Sequence, residues 1–356
     1  MRPTRLWPLP LCACAVHCNA DPPREPASAP QAAASAPAPD DTSFRFPAAE
    51  RVIAVGDLHG DGAATRAALR LGGAIDEKDE WVGGKLVVVQ TGDQLDRGDD
   101  EPEIVELFDT LKERAKSAGG AVHALSGNHE VMNVAADFRY VTEDGFRDYK
   151  NTPLVGQRGK QASLLPAEQH GRAAAFLPGG SSAEKLAARP VVIVVGDTVF
   201  AHGGVLPGHV RYGIGKINDE ARRWMLGETR RIPDVLNGDT SPVWARDYSD
   251  GEPSARACGA LGTVLTDLNA KRMVVGHTVQ KTGITSACDA KVWRIDVGLA
   301  RHYGGRPSVL EIRGAEVRAL TGVAPEAGTA VADAAAPRLD AGKAKAATKA
   351  PPAPHP

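Results

Sequence analysis

The sequence predicts an α/β domain built on a parallel or mixed sheet buried on both faces. Three observations predict it. Short apolar, β-branched runs recur at 52–55, 86–89, 121–125, 199–200 and 273–275, and runs of this kind read as buried strands. Each ends in a glycine-containing turn that carries Asp, His or Asn: Gly56-Asp57-Leu58-His59-Gly60, Gly92-Asp93-Gln94-Leu95-Asp96-Arg97-Gly98, Gly127-Asn128-His129-Glu130, Ala201-His202-Gly203-Gly204 and Gly276-His277-Thr278. Helical stretches follow the first two turns, and strand–turn–helix repetition marks an α/β core whose sites lie at strand ends.

The elements follow in order. Residues 61–71 are rich in Ala, Leu and Arg and read as a helix. Residues 102–116 read as a second helix, with Pro102 near its start and Gly119-Gly120 beyond its end, as helix boundaries prefer. The stretch 137–161 is polar and aromatic without a clean period, and 162–175 has the composition of a helix. This insertion, 133–189, falls between two of the turns, so it is expected to cap or border the cleft and to carry specificity. Residues 190–195 and 198–201 are strands joined at Gly196-Asp197, a hairpin signal. Residues 217–226 and 255–268 read as helices, and 292–297, 308–312 and 316–320 as strands.

The folded part is expected to span 44–322 as one domain within the 356-residue chain. Residues 21–43 are dominated by Ala, Pro and Ser, and 323–356 by Ala, Pro, Lys and Gly. Such segments bury too little apolar surface to offset the entropy of ordering, so both are expected to be disordered. Lys plus Arg (42) nearly balances Asp plus Glu (44), which leaves no electrostatic footprint for nucleic acid. The tail lysines Lys343, Lys345 and Lys349 read as a solvated tail.

Residues 1–20 resemble a secretory signal: Arg2 and Arg5 precede a short apolar stretch at 6–16, too short to span a bilayer. Two cleavage readings stand. Leu11-Cys12-Ala13-Cys14 resembles a lipoprotein box that would lipidate Cys14, and cleavage after Ala20 would release a soluble protein. Either places the protein outside the cytoplasm, periplasmic in a bacterium, with membrane contact only through the lipid. Within the domain stand two cysteines, Cys258 and Cys288. A disulfide and a pair of separate buried thiols are both open readings.

The residue types at the strand ends suit hard and borderline divalent cations, which take carboxylate oxygen, imidazole nitrogen and amide oxygen. Asp57 and His59 can reach one ion, Asp93 is placed to bridge two, and Asn128, His202 and His277 complete the second. Two ions about 3.5–4 Å apart can hold a bridging water, lower its pKa towards ~7 and clamp phosphate oxygens for in-line displacement. His129 is the candidate general acid for the leaving oxygen, with Asp96 to orient its ring. Arg97 offers a planar, permanently charged fork for phosphate, and Arg246 a second from another loop.

Together GDLHG, GDQLDRGDD, GNHE, HGG and GHT resemble the phosphoprotein phosphatases of the calcineurin-like metallophosphoesterase superfamily. The Asp99-Asp100-Glu101 extension, Met132-Asn133, Pro242-Val243-Trp244-Ala245-Arg246 and Val275-Gly276-His277-Thr278 are similar to the bacterial Shewanella-like protein phosphatases. The resemblance runs over 51–313. It implies two mixed β-sheets packed as a sandwich flanked by helices. It also implies two divalent metal ions, commonly manganese, iron or zinc, with manganese expected first, and phosphomonoester hydrolysis without a covalent intermediate. All six ligand positions of the family pattern are filled.

Three functions are compatible: a protein phosphatase on phosphoserine, phosphothreonine or phosphotyrosine; a hydrolase of small phosphoesters or dinucleoside polyphosphates; and a non-enzymatic binder of phosphoproteins. Asp96 and Glu130 favour the first, and the full ligand set argues against the last. Other residues read as structural. His123 lies inside an apolar strand, His170 and His209 read as surface or loop residues, and Trp224 and Trp244 as packing residues. Tyr303 is a candidate for the cleft border.

Overall fold

A computed structural model describes residues 43–322. The leader 1–20 with Cys14, the linker up to residue 42 and the tail 323–356 lie outside the described residues. A two-residue strand, β1 (Arg45–Phe46), precedes β2 (Val52–Val55), α1 (Gly62–Leu71), β3 (Val87–Gln90), α2 (Glu101–Ser117), β4 (Ala121–Ala124) and α3 (Asn128–Val134). Four short helices then fill the insertion: α4 (Glu143–Arg147), α5 (Gly156–Ala162), α6 (His170–Phe176) and α7 (Ser181–Leu186). The hairpin β5 (Val192–Val195) and β6 (Thr198–Ala201) follows, then α8 (Pro207–Tyr212), α9 (Ile214–Met225) and α10 (Ala255–Asp267). The domain closes with β7 (Arg272–Val275), β8 (Thr285–Ala287), β9 (Val292–Arg294), β10 (Ser308–Arg313) and β11 (Glu316–Thr321).

The strands make two sheets, ordered β11-β10-β2-β3-β4 and β1-β5-β6-β7-β9-β8. Both are mixed: β2, β3 and β4 pair in parallel, as do β6, β7 and β9, while β10 and β5 pair antiparallel with β2 and β6. Ala54, Val89 and Leu310 of one sheet pack against Ile193, Phe200 and Val274 of the other in a shared core. The outer face of the five-stranded sheet buries Ile53, Val55 and Val88 beneath Ala68 and Leu69 of α1 and Ile104 and Phe108 of α2. The outer face of the other packs on α9 and α10 through Ile217, Trp224, Leu261 and Leu265. This is the sandwich expected. Each inner strand is apolar on both sides because both of its faces are covered.

Several local expectations fail for physical reasons. The helix expected over 162–175 is broken: α5 ends at Ala162, and Pro166 biases Leu165 away from helical backbone before α6 begins at His170. The strand expected over 292–297 ends at Arg294, so Ile295 and Asp296 belong to the loop. His209 is not a surface residue. It is buried in α8, accepting from the Leu206 amide at 3.0 Å and facing the Thr240 carbonyl at 2.9 Å. His170 is half-buried at the start of α6, with Nε2 2.8 Å from the Leu165 carbonyl. His123 is also half-buried, its ring against Phe46 at 4.1 Å, and burial lowers its pKa to about 4. Cys258 and Cys288 form a disulfide that ties α10 to the β8–β9 turn. Among the described residues no helix is long and apolar enough to cross a membrane.

Candidate active site

Parallel pairing puts the C-terminal ends of β2, β3 and β4 at one edge of their sheet, and those of β6, β7 and β9 at one edge of the other. The two edges meet. The Gly276 amide donates to the His202 carbonyl at 2.8 Å, and His202 Nδ1 donates across the sandwich to the Thr91 carbonyl at 3.0 Å. At Gly127 and Gly276 a Cβ would collide with the carboxylates of Asp93 and Asp57 respectively, so only glycine admits those side chains.

His59, Asp93, Asp96, Arg97 and His277 all adopt positive φ, at 44°, 56°, 67°, 71° and 67°. Such backbone is uncommon for residues with side chains and persists where surrounding bonds over-determine it. Those bonds are present. The Asp93 carbonyl accepts from the amides of Leu58 and His59, both at 2.9 Å. Buried Glu130 accepts from the amides of Asp93 (2.9 Å), Gln94 (2.8 Å) and Gly127 (2.6 Å), clamping the second and third turns together. Glu130 stands in the third motif, but this clamp is a tertiary contact that no spacing announces.

The expected ligands converge. Asp93 Oδ2 lies 3.2 Å from His202 Nε2, 3.8 Å from His59 Nε2 and 3.8 Å from His129 Nε2. His202 Nε2 in turn faces Asn128 Oδ1 at 2.9 Å and His277 Nδ1 at 3.2 Å. Since a carbonyl only accepts, His202 Nδ1 donates to Thr91, and this turns Nε2 toward the Asn128 and Asp93 oxygens. Likewise His59 Nδ1 lies 3.2 Å from the Leu95 carbonyl, which frees its Nε2 for the site. Carboxylate oxygen, amide oxygen and ring nitrogens converging on one point suit a divalent cation. Two groups sharing Asp93 therefore fit metal ions: His59, Asp93 and His129, and Asp93, His202 and His277. Asp57, expected to share an ion with His59, is buried beside both groups but in neither, accepting from the His277 amide at 3.1 Å and standing 3.9 Å from His202 Nδ1.

Electrostatics agree with this reading. Burial, reinforced by Asp296 and Asp93, pushes the Asp57 carboxyl well above its usual range. Burial lowers His59 to about 3, and burial with His202 lowers His277 to about 2, so both rings are neutral donors of lone pairs. Burial alone would raise Asp93, but His202 and His129 outweigh it and hold it ionised. His129 differs from the others. Burial opposes its charge, yet Asp93 and Asp96 outweigh burial and raise its pKa, and its Nδ1 lies 2.5 Å from Asp96 Oδ2. Asp96 thus takes Nδ1, while Nε2 faces Asp93 in the first ligand group.

Arg97 lies against the rings of Tyr140 (4.5 Å) and Tyr303 (5.2 Å), and its buried Nε has no partner among the described residues. Tyr303 also stands 5.3 Å from the His59 ring, so it borders the cleft, and Tyr140 of the insertion stands 5.2 Å from His129. Arg246 is exposed beside His277, donating to Thr278 Oγ1 at 2.8 Å and the His277 carbonyl at 3.2 Å. Half-buried Trp244 packs edge-on against His277 at 5.6 Å, and Trp224 is in the core, so both pack as expected. The sequence reading missed Asp296, buried next to Asp57 and raised to about 6 chiefly by burial. An Asp closing an apolar run at a further strand end was the available signal.

A family model for calcineurin-like phosphoesterases matches residues 50–281. The chain belongs to the calcineurin-like phosphoesterase family. Within it, the chain is 38% identical over 299 residues to Shewanella-like protein phosphatase 2 of Arabidopsis thaliana, covering 76% of each. It is 28% identical over 282 residues to Shewanella-like protein phosphatase 1 of Plasmodium berghei, covering 76% and 74%. The fold is similar to a solved cold-active protein tyrosine phosphatase, with TM-score 0.62 at 24% identity over 78% of this chain and 77% of that one. Family membership and the two ligand groups make this chain a metal-dependent phosphoester hydrolase of the protein-phosphatase type.

Proposed function

We propose that the chain dephosphorylates proteins outside the cytoplasm, with manganese in its metal sites and a preference for phosphotyrosine. Asp57, His59 and Asp93 would hold one ion, and Asp93, Asn128, His202 and His277 the other. Bound there, the ions would supply the positive charge that lowers the pKa of a water and offsets the charge of the phosphoryl group. The remaining work falls to side chains of this chain. Arg97, with its unpartnered Nε, and Arg246 bind and orient the phosphate oxygens. His129 delivers a proton to the leaving oxygen from Nε2, while Asp96 holds Nδ1.

The observation that carries the phosphotyrosine preference is the pair of partly exposed rings, Tyr140 at 38% and Tyr303 at 36%, against Arg97 and against His129 and His59. They flank the exit of the leaving group with apolar surface, which favours an aryl over an alkyl ester. Tyr140 belongs to the insertion, which supports a specificity role for 133–189. The Cys258–Cys288 disulfide supports an oxidising compartment, in line with the leader. The test is kcat/KM on matched phosphotyrosine, phosphoserine and phosphothreonine peptides and on a diadenosine polyphosphate, with manganese, zinc or iron. The highest value on phosphotyrosine supports the reading. A higher value on the dinucleotide would replace it with the small-phosphoester reading.

A further inference from the structure

Arg172 of α6 is among the largest fully buried side chains in the protein, in a helix that contributes no residue to the metal site. Its guanidinium is engaged on every side. Nη1 and Nη2 donate to the Glu101 carboxylate at 2.6 and 3.0 Å, Nη1 also to the Gly145 carbonyl at 2.9 Å, and Nε to Asn133 Oδ1 at 2.8 Å. Both carboxylate and amide then turn to Asp96. Glu101 Oε1 accepts from the Asp96 amide at 2.5 Å, and Asn133 Nδ2 donates to Asp96 Oδ1 at 2.9 Å. Asp96 Oδ2 is left for His129.

We propose that Arg172 is a positioning residue for the His129–Asp96 pair, through which the insertion sets proton delivery to the leaving group. The inference rests on the role given to His129 above. Arginine has only donors, so the Asn133 oxygen must face Arg172, and the amide group is thereby forced toward Asp96. The bidentate Glu101 contact fixes the oxygen that holds the Asp96 amide, where the backbone sits at φ 67° and needs such support. Three separate features of the sequence, the Asp99-Asp100-Glu101 extension, Met132-Asn133 and one arginine of the insertion, are thus one network. Without Arg172 the Asn133 oxygen loses its donor, and Glu101 and Asp96 lose their shared counter-charge, whose Nη2 stands 3.5 Å from Asp96 Oδ1. Asp96 Oδ1 is then left to Asn133 Nδ2, which the His129 carbonyl at 2.9 Å also holds.

The experiment compares Arg172→Met with wild type on phenyl phosphate, a poor leaving group, and 2,4-dinitrophenyl phosphate, which leaves without a proton. The low-field imidazole proton resonance assigned to His129 by its loss in His129→Ala is read in parallel. A fall of about 10- to 100-fold on phenyl phosphate is expected, the size of effect that misplacing a catalytic group produces. The loss on the dinitrophenyl ester is expected to be much smaller, no further loss is expected in a His129→Ala background, and the resonance shifts or disappears. An equal loss on both esters that adds to that of His129→Ala, with the resonance unmoved, overturns the proposal. If Arg172→Met does not fold, Arg172→Met/Glu101→Gln, which removes both buried charges, and Asn133→Ala carry the same comparison. Should wild type hydrolyse neither ester, the functional reading fails, and the resonance still decides the network.

Discussion

Asp93 Oδ2 lies 3.2 Å from His202 Nε2, a contact between the edges of the two sheets. Asp93 also belongs to the His59 group, so one carboxylate joins both candidate metal positions. Asp93→Asn halves the charge logic of both at once. Metal analysis after dialysis is expected to find two manganese ions per wild-type chain and at most one in the variant. An unchanged stoichiometry would show that Asp93 is not the bridge.

Metal binding should stabilise the fold, because ligand that binds only the native state adds stability in proportion to RT ln([L]/Kd), about 2.7 kcal/mol at 100 Kd. Adding manganese to chelator-treated protein is expected to raise the melting temperature by several degrees. His277→Ala should reduce that rise. A melting curve indifferent to manganese in wild type contradicts the site.

Replacing His129 by Ala is expected to lower kcat by about 10²- to 10⁴-fold on phosphotyrosine peptide, the usual size of a general-acid contribution. The loss should shrink as the leaving group becomes more acidic. A loss independent of leaving-group pKa would give His129 a ligand's role instead.

Asp296 gives a pH signature in chelator-treated protein. Burial raises its pKa from 3.8 to about 6, so the folded state holds its proton more tightly than the unfolded state. Its contribution is therefore complete below about pH 4 and is lost as pH rises through about 6, a change of about 3 kcal/mol. His59 and His277, lowered to about 3 and 2, change in the opposite sense as pH falls below 6.5. They are common to wild type and Asp296→Asn, so the difference between the two unfolding free energies reports Asp296 together with its effect on Asp57. The variant should gain on wild type from pH 4 to pH 7. A pH-independent difference would reject the assignment.

The Cys258–Cys288 bond closes a sequence separation of 30 residues, for which loop-closure entropy gives about 3–4 kcal/mol. Cys258→Ser/Cys288→Ser is expected to lower the denaturation midpoint accordingly. An unchanged midpoint would contradict a stabilising role.

Much of this was legible in the chain because it is local. Strand runs such as Val52–Val55 are buried on both faces, and the ligands follow them within a few residues, so a linear reading finds Asp57, Asp93, Asn128, His202 and His277. What escaped is tertiary. Arg172 reaches Asn133 and Glu101 across separations of 39 and 71 residues, and its own helix carries no pattern that marks it. Glu130 acts on backbone amides, which have no sequence signature. Asp296 was absorbed into a strand that stops two residues earlier. The insertion resisted because its helices are short, from five to seven residues, and are held by packing rather than by propensity.

The most direct test of the dinuclear centre is anomalous scattering from crystals grown with manganese. Two peaks about 3.5–4 Å apart are expected on either side of the Asp93 carboxylate, one beside Asp57 and His59 and the other beside Asn128, His202 and His277. A single peak, or a peak coordinated by His129 Nε2, would contradict the account.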